Sequence, residues 1–154
     1  MTALIGFPEV VDEVNARLVA GGVVALGLVV VLADVRWLLP LLAVGFLLRV
    51  LAGPRLSPLA LLMTRVVRPR LRVHERFVPG PPKRFAQAVG VAFTVAATAL
   101  WLAGAGGAAE AVMWVLVFFA ALESVVGFCT GCWVFRQLMR AGVVPQSVCE
   151  RCAW

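Results

Sequence analysis

The sequence predicts an all-α integral membrane protein, with four transmembrane helices and an amphipathic interfacial helix in a basic middle loop. Three observations carry this. Apolar residues make up 62% of the chain and mean hydropathy is +0.99, against about 45–50% apolar in an ordinary soluble domain. A chain of 154 residues this apolar has too little polar surface to enclose a core, so lipid must act as its solvent. The apolar residues fall in four long runs, and the charges are confined: eight of the fourteen Lys and Arg residues lie between Arg55 and Arg84. Residues 1–154 read as one membrane domain.

Residues 1–17 form a polar lead. Its charges are acidic before Arg17 (Glu9, Asp12, Glu13), whereas a cleaved signal peptide wants a positive start, so the first apolar run is expected to be a retained helix. Leu18–Ala33 has 16 uncharged residues, short of the roughly 20 a full span needs, and spans if flanking side chains snorkel. Asp34–Arg36 is a tight connection. Trp37–Pro54 is the second span, with Pro40 in its first turn, where a missing N–H costs little. Arg49 interrupts this run near its end, and its long stem is expected to reach the headgroups. The two segments are expected to form a helical hairpin.

In the basic stretch, Ser57 and Pro58 read as N-cap and first residue of a helix. Leu59–Val67 then gives one or two amphipathic turns, stopped by Pro69 and lying in the interface. Pro79, Pro81 and Pro82 predict an extended connector. His74, the single histidine, reads as a surface residue among arginines. Phe85–Ala109 holds 25 residues without a charge, with the third span over residues 85–102 and an exit loop at Gly104–Gly107. Glu110 opens the fourth span, where a carboxylate meets the positive end of the helix dipole. That span is expected to run unbroken over Ala111–Phe135 and to be followed by a Cys-rich tail, residues 136–154.

Basic loops stay in the cytoplasm. The Arg55–Arg84 loop therefore predicts an inner-membrane protein with both termini cytoplasmic, since the two opposite connections carry one basic residue between them, Arg36. The net charge of +6 does not imply nucleic acid as a partner: in a membrane protein it places loops and meets anionic headgroups.

All four cysteines lie within residues 129–152, as C-x2-C, sixteen residues, C-x2-C. Three readings follow, the plainest being that the four are buried as small apolar packing side chains. Cys129, Cys132, Cys149 and Cys152 fit the spacing of a tetrathiolate zinc site that would close the tail onto the fourth span. Alternatively, residues i and i+3 of a helix share a face, so Cys129 and Cys132 suit a reversible disulfide or a persulfide, with Cys149 and Cys152 as resolving thiols. On an unbroken helix Cys129 lacks the N-terminal position that stabilises a thiolate. Cys132 is then the expected attacking thiol, being nearer the cytoplasm and Arg136.

Glu123 is an ionisable group inside a span and hence a candidate proton or hydrogen-bond site. Glu123, Gly127 and Gly131, at steps of four, would share one face with Thr130 beside them, a small-residue stripe suited to close packing. At about 100° per residue, Cys129 and Cys132 point about 120° and 180° away, so an unbroken helix excludes Glu123 as their base. Gln87 and Thr94 of the third span are the expected hydrogen-bond partners of its carboxyl.

Phe128-Cys-Thr-Gly-Cys132 closing the last span and Arg84-Phe-Ala-Gln87 opening the third, with Ser57-Pro58 and Arg68-Pro-Arg-Leu71 between, resemble a bacterial membrane family known as domain of unknown function 4395. The most specific element is F-C-x-G-C. The resemblance implies a four-span membrane body and no particular reaction. On the residues, the leading function is a membrane dithiol protein in thiol redox or sulfur handling, with a thioredoxin-like or sulfurtransferase partner. The alternatives are a non-enzymatic scaffold or subunit closed by structural zinc, and a small transporter using Glu123.

Overall fold

The computed structural model describes residues 7–149. The order is β1 (Val10–Asp12), α1 (Glu13–Leu32), α2 (Leu38–Ala52), α3 (Pro58–Leu62), β2 (Phe77–Pro79), α4 (Gly80–Leu102), α5 (Gly106–Ala121) and α6 (Thr130–Arg140). A wider turn, Leu122–Val126, prolongs α5. Four segments are long and apolar enough to cross a membrane: Glu13–Leu32, Leu38–Arg55, Gly80–Leu102 and Gly106–Val126. This is the multi-pass, all-α architecture that hydropathy predicts.

The span boundaries differ from those expected, for local reasons. The first helix reaches back to Glu13 because Asp12 caps it, accepting the Val14 N–H at 3.1 Å. Its 20 residues remove the shortfall. The third begins at Gly80, and Pro81 and Pro82 form its first turn instead of an extended connector; proline is tolerated there because those N–H groups lack helical partners anyway. The fourth stops at Val126. Gly127 adopts a left-handed φ of 80°, which ends the helix, and a separate helix starts at Thr130.

Beginnings of α1 and α4 and the end of α5 meet at one end of the bundle. There β1 and β2 pair antiparallel, with Val11 opposite Val78, and Arg17 donates to the carbonyls of Ser124 and Val125. Arg84 donates to the Val50 carbonyl near the end of α2. This basic end carries the 53–79 loop and, of the described residues, those after Gly127. The Asp12 carboxylate that caps α1 also accepts from Arg68 at 3.0 Å and the Arg76 N–H at 3.3 Å, tying the loop to α1. At the other end, Arg36 pairs with Asp34.

The loop's helical segment docks on α1: Leu59 and Met63 cover Gly22, and Thr64 donates to Asn15. Ser57 takes the N-cap position, but its side chain makes no capping bond. His74 is exposed.

Within the bundle α2 lies chiefly against α4 and hardly touches α1, so the first two spans are not a self-packed hairpin. Val23, Leu39, Leu42, Phe46, Ala97 and Met113 form the buried centre. Glycines set the closest seams, Gly27 on Val117 of α5 and Gly90 on the Phe46 ring of α2, the small-to-large packing that brings helices together where lipid supplies no hydrophobic drive. Large apolar side chains such as Leu41, Val44, Trp114 and Phe118 stay exposed on the outside, where hydrocarbon would meet them.

Candidate functional site

The break at Gly127 creates the site. Phe128 crosses back over the end of α5, its N–H bonding to the Leu122 carbonyl. Cys129 then has extended backbone (φ −91°, ψ 102°) and becomes the N-cap of α6. Its Sγ accepts the Cys132 N–H at 3.3 Å, and Cys129 and Cys132 are joined as a disulfide with Cα atoms 5.2 Å apart. The expectation of a Cys129 deep within a helix is thereby overturned. The first turn of α6 thus turns the Cys132 N–H, which has no helical partner, and the positive end of the helix dipole to its sulfur.

α6 is held on α4. Gly131 sits directly on Ala86, and the Phe135 and Phe85 rings lie 5.7 Å apart. After Gly142, also left-handed at φ 77°, the chain folds back and buries Cys149 against Phe135, Met139 and Val144. Cys149 is disulfide-bonded. Cys152 lies outside the described residues. Among the described residues no cluster of three His, Cys, Asp or Glu side chains is placed to hold a metal.

Two pockets meet at the disulfide. An inner cavity of about 410 Å³, half open to the outside, runs among the helices, lined by Val23, Phe46, Phe93, Leu116 and Phe119, with Arg49, Gln87, Glu123, Cys129 and Thr130 also in its wall. An outer pocket of about 290 Å³ is lined by Glu13, Lys83, Phe128, Cys129, Cys132, Trp133 and Arg136. Cys129 borders both, whereas Cys132 borders the outer one.

Glu123 departs from its expected setting. With the span ending at Val126, it lies in the last turn and not mid-membrane. Its carboxylate accepts from Lys83 Nζ at 2.5 Å, the two side chains 15% and 8% exposed, instead of from Gln87 or Thr94. Thr94 bonds to the Gly90 and Val91 carbonyls of its own helix. Because the helix breaks, the angular argument separating Glu123 from the cysteines fails: Glu123 and Cys129 share the inner cavity. Arg49 departs too. It is 4% exposed and turned into the cavity, stacked over Phe46 at 4.2 Å, with Nε donating to the Gly45 carbonyl. Gln87 Oε1 and Thr130 Oγ1 are buried without a hydrogen-bond partner among the described residues.

Lys83, Arg49 and Thr130 are thus the site residues that sequence reasoning missed, and Gln87, expected to bond Glu123, lines the cavity without doing so. For Arg49 a signal existed. The rule that makes an intramembrane charge a functional candidate applies to it as much as to Glu123.

Fold and site together define a four-span helical-bundle membrane protein with a disulfide at the N-terminus of a surface helix. The family model described as domain of unknown function (DUF4395) matches residues 11–140, and the chain belongs to that family. The match includes F-C-x-G-C; Cys149 and Cys152 follow it. No curated protein and no solved structure matches the chain.

Proposed function

We propose that this protein is a membrane thiol–disulfide exchange protein whose Cys129–Cys132 disulfide accepts electrons from a partner's dithiol at the basic end of the bundle. The observation that carries it is the place of Cys129 as N-cap of α6. A thiolate there is stabilised by the Cys132 N–H and the helix N-terminus, which makes Cys129 a good leaving group, and a more stable leaving thiolate departs faster. A partner thiolate entering the outer pocket attacks Cys132 Sγ; the Cys132–Cys129 bond breaks and Cys129 leaves as thiolate. The partner's second thiolate then attacks its own bridged sulfur and releases Cys132. Two electrons pass to this protein, and the partner leaves as a disulfide. The partner class that supplies such a dithiol is a thioredoxin-like or sulfurtransferase protein.

Single cysteine variants test this on non-reducing gels. Cys129→Ser removes the internal thiol that would displace a partner from Cys132, so adducts formed when the Cys132 thiolate attacks the partner's oxidised, disulfide form should accumulate. Cys132→Ser removes the sulfur through which the partner is bound, and adducts should be absent. Equal protease sensitivity in both, no adduct from either and one zinc per chain would replace this reading with the structural-metal one.

The orientation that goes with it puts the basic end in the cytoplasm, where reduced dithiols are abundant. Reporter fusions after Arg72 and after Trp154 should read cytoplasmic, and a fusion after Gly104 should read the opposite side. The reverse pattern would place the disulfide in an oxidising compartment.

A further inference from the structure

We infer that the inner cavity binds a lipid-soluble quinone, which takes the two electrons that the Cys129–Cys132 pair receives. The inference rests on the exchange activity proposed above and supplies its terminal acceptor. A disulfide that has oxidised one partner is left as a dithiol and must pass its electrons on before a second cycle. The geometry gives the pair an inner side as well as an outer one, because Cys129 lines both pockets.

The cavity's chemistry selects the ligand. Its volume, about 410 Å³, lies in the range of about 300–1,000 Å³ typical of small-molecule sites. The lining belongs mostly to the membrane spans and is apolar and aromatic, so the occupant is a lipophile that arrives from the bilayer. Its polar groups are unfinished in two senses. Arg49, 4% exposed, uses only Nε in a hydrogen bond among the described residues, and the Glu123 carboxylate that shares the cavity is bonded to Lys83. A buried cation with spare donors calls for an acceptor such as a ring carbonyl. Gln87 Oε1, buried without a partner, calls for a donor. Thr130 Oγ1, also without a partner, can give or accept. A group that accepts when oxidised and donates when reduced satisfies all three, and a quinone–hydroquinone couple is such a group. A fatty acyl chain offers neither function.

The electron count closes. The Cys129 thiolate adds to a ring carbon of the quinone, forming a C–S bond. The Cys132 thiolate attacks Cys129 Sγ; the S–S bond forms, the C–S bond breaks, and its electron pair stays on the ring. The two protons lost by the thiols complete the hydroquinone. One dithiol and one quinone give one disulfide and one hydroquinone.

The test uses the full chain, reduced, freed of reductant, held in nanodiscs and mixed with decylubiquinone. One equivalent of quinone should be reduced per chain, with loss of two thiols. Gln87→Leu and Thr130→Val should each raise the quinone concentration for half-maximal rate at least tenfold, with exchange against a model dithiol in the outer pocket measured alongside. Cys132→Ser should show a long-wavelength thiolate–quinone absorption that Cys129→Ser lacks. If the disulfide exchanges with the model dithiol but decylubiquinone is neither reduced nor protective against heat, the quinone assignment is wrong and the exchange function stands. Absence of both reactions in folded protein would remove the exchange function and the quinone assignment together. Full quinone reduction at unchanged half-saturation in both cavity variants would show that the ring reacts somewhere other than this cavity.

Discussion

Removing either partner of the Lys83–Glu123 pair is expected to cost about 3 kcal/mol, and removing both to restore most of that loss. Taking one member from a buried ion pair leaves the other charge without compensation, at about 3–5 kcal/mol, whereas replacing both by apolar side chains is often neutral or better. The lower end applies because the pair sits in the last turn of a span with Glu123 15% exposed. Glu123→Gln therefore does not preserve the fold as an isolated hydrogen-bonding carboxyl would: an amide leaves Lys83 charged and unneutralised. Lys83→Met and Glu123→Gln should each lower the midpoint of thermal unfolding in detergent, by roughly 2–4 °C per kcal/mol for a chain of this size. Lys83→Met combined with Glu123→Leu should recover to within a few degrees of the parent. Additive losses in the double variant would mean that the two side chains act independently.

Gly131→Val is expected to lift α6 from α4 and disable the disulfide site along with it. A Cβ at position 131 would come 2.6 Å from Ala86 Cβ and 2.7 Å from its Cα, atoms fixed to the α4 backbone that cannot rotate aside. Overpacking of this kind costs about 1–3 kcal/mol, and here the least-cost response is displacement of the short helix. Limited proteolysis should then cut near residues 127–130 at least tenfold faster. Gly107→Val is the control, since nothing lies within 4 Å of a Cβ there, and it should cleave at the parental rate. Equal protection of both variants would contradict the close seating of α6.

The parts that were legible in the sequence are those decided by composition over long windows. Four spans follow from hydropathy, and the grouping of arginines marks the loop that joins the second to the third. Boundaries were less legible, because they rest on single residues whose effect is conformational. Through Val125-Val126-Gly127-Phe128 the chain stays apolar, so hydropathy carries no sign that Gly127 turns left-handed and ends the span. The same omission hid the N-cap role of Cys129 and placed Glu123 a full turn or more too deep. Contacts between distant segments were illegible for another reason. Nothing local brings Lys83 to Glu123 or pairs Val10–Asp12 with Phe77–Pro79. Arg49 was turned the wrong way because a helix that is apolar on all sides gives no cue to which face meets protein and which meets lipid.

The bonds from Arg17 to Ser124 and Val125 bear on biogenesis. Residues 107 and 108 positions apart meet only after nearly the whole chain exists. At about 5–20 residues per second, Arg17 waits several seconds or more beside the membrane before its acceptors emerge. Until then the first span carries an unmatched cation at its mouth. The last span, for its part, ends in carbonyls that its own helix cannot serve, in a setting where such groups are costly. The first helix to be inserted thus holds the piece that seals the last. Completion of the bundle and satisfaction of both ends become one event, which coincides with delivery of Cys129 to the cavity it shares with Glu123.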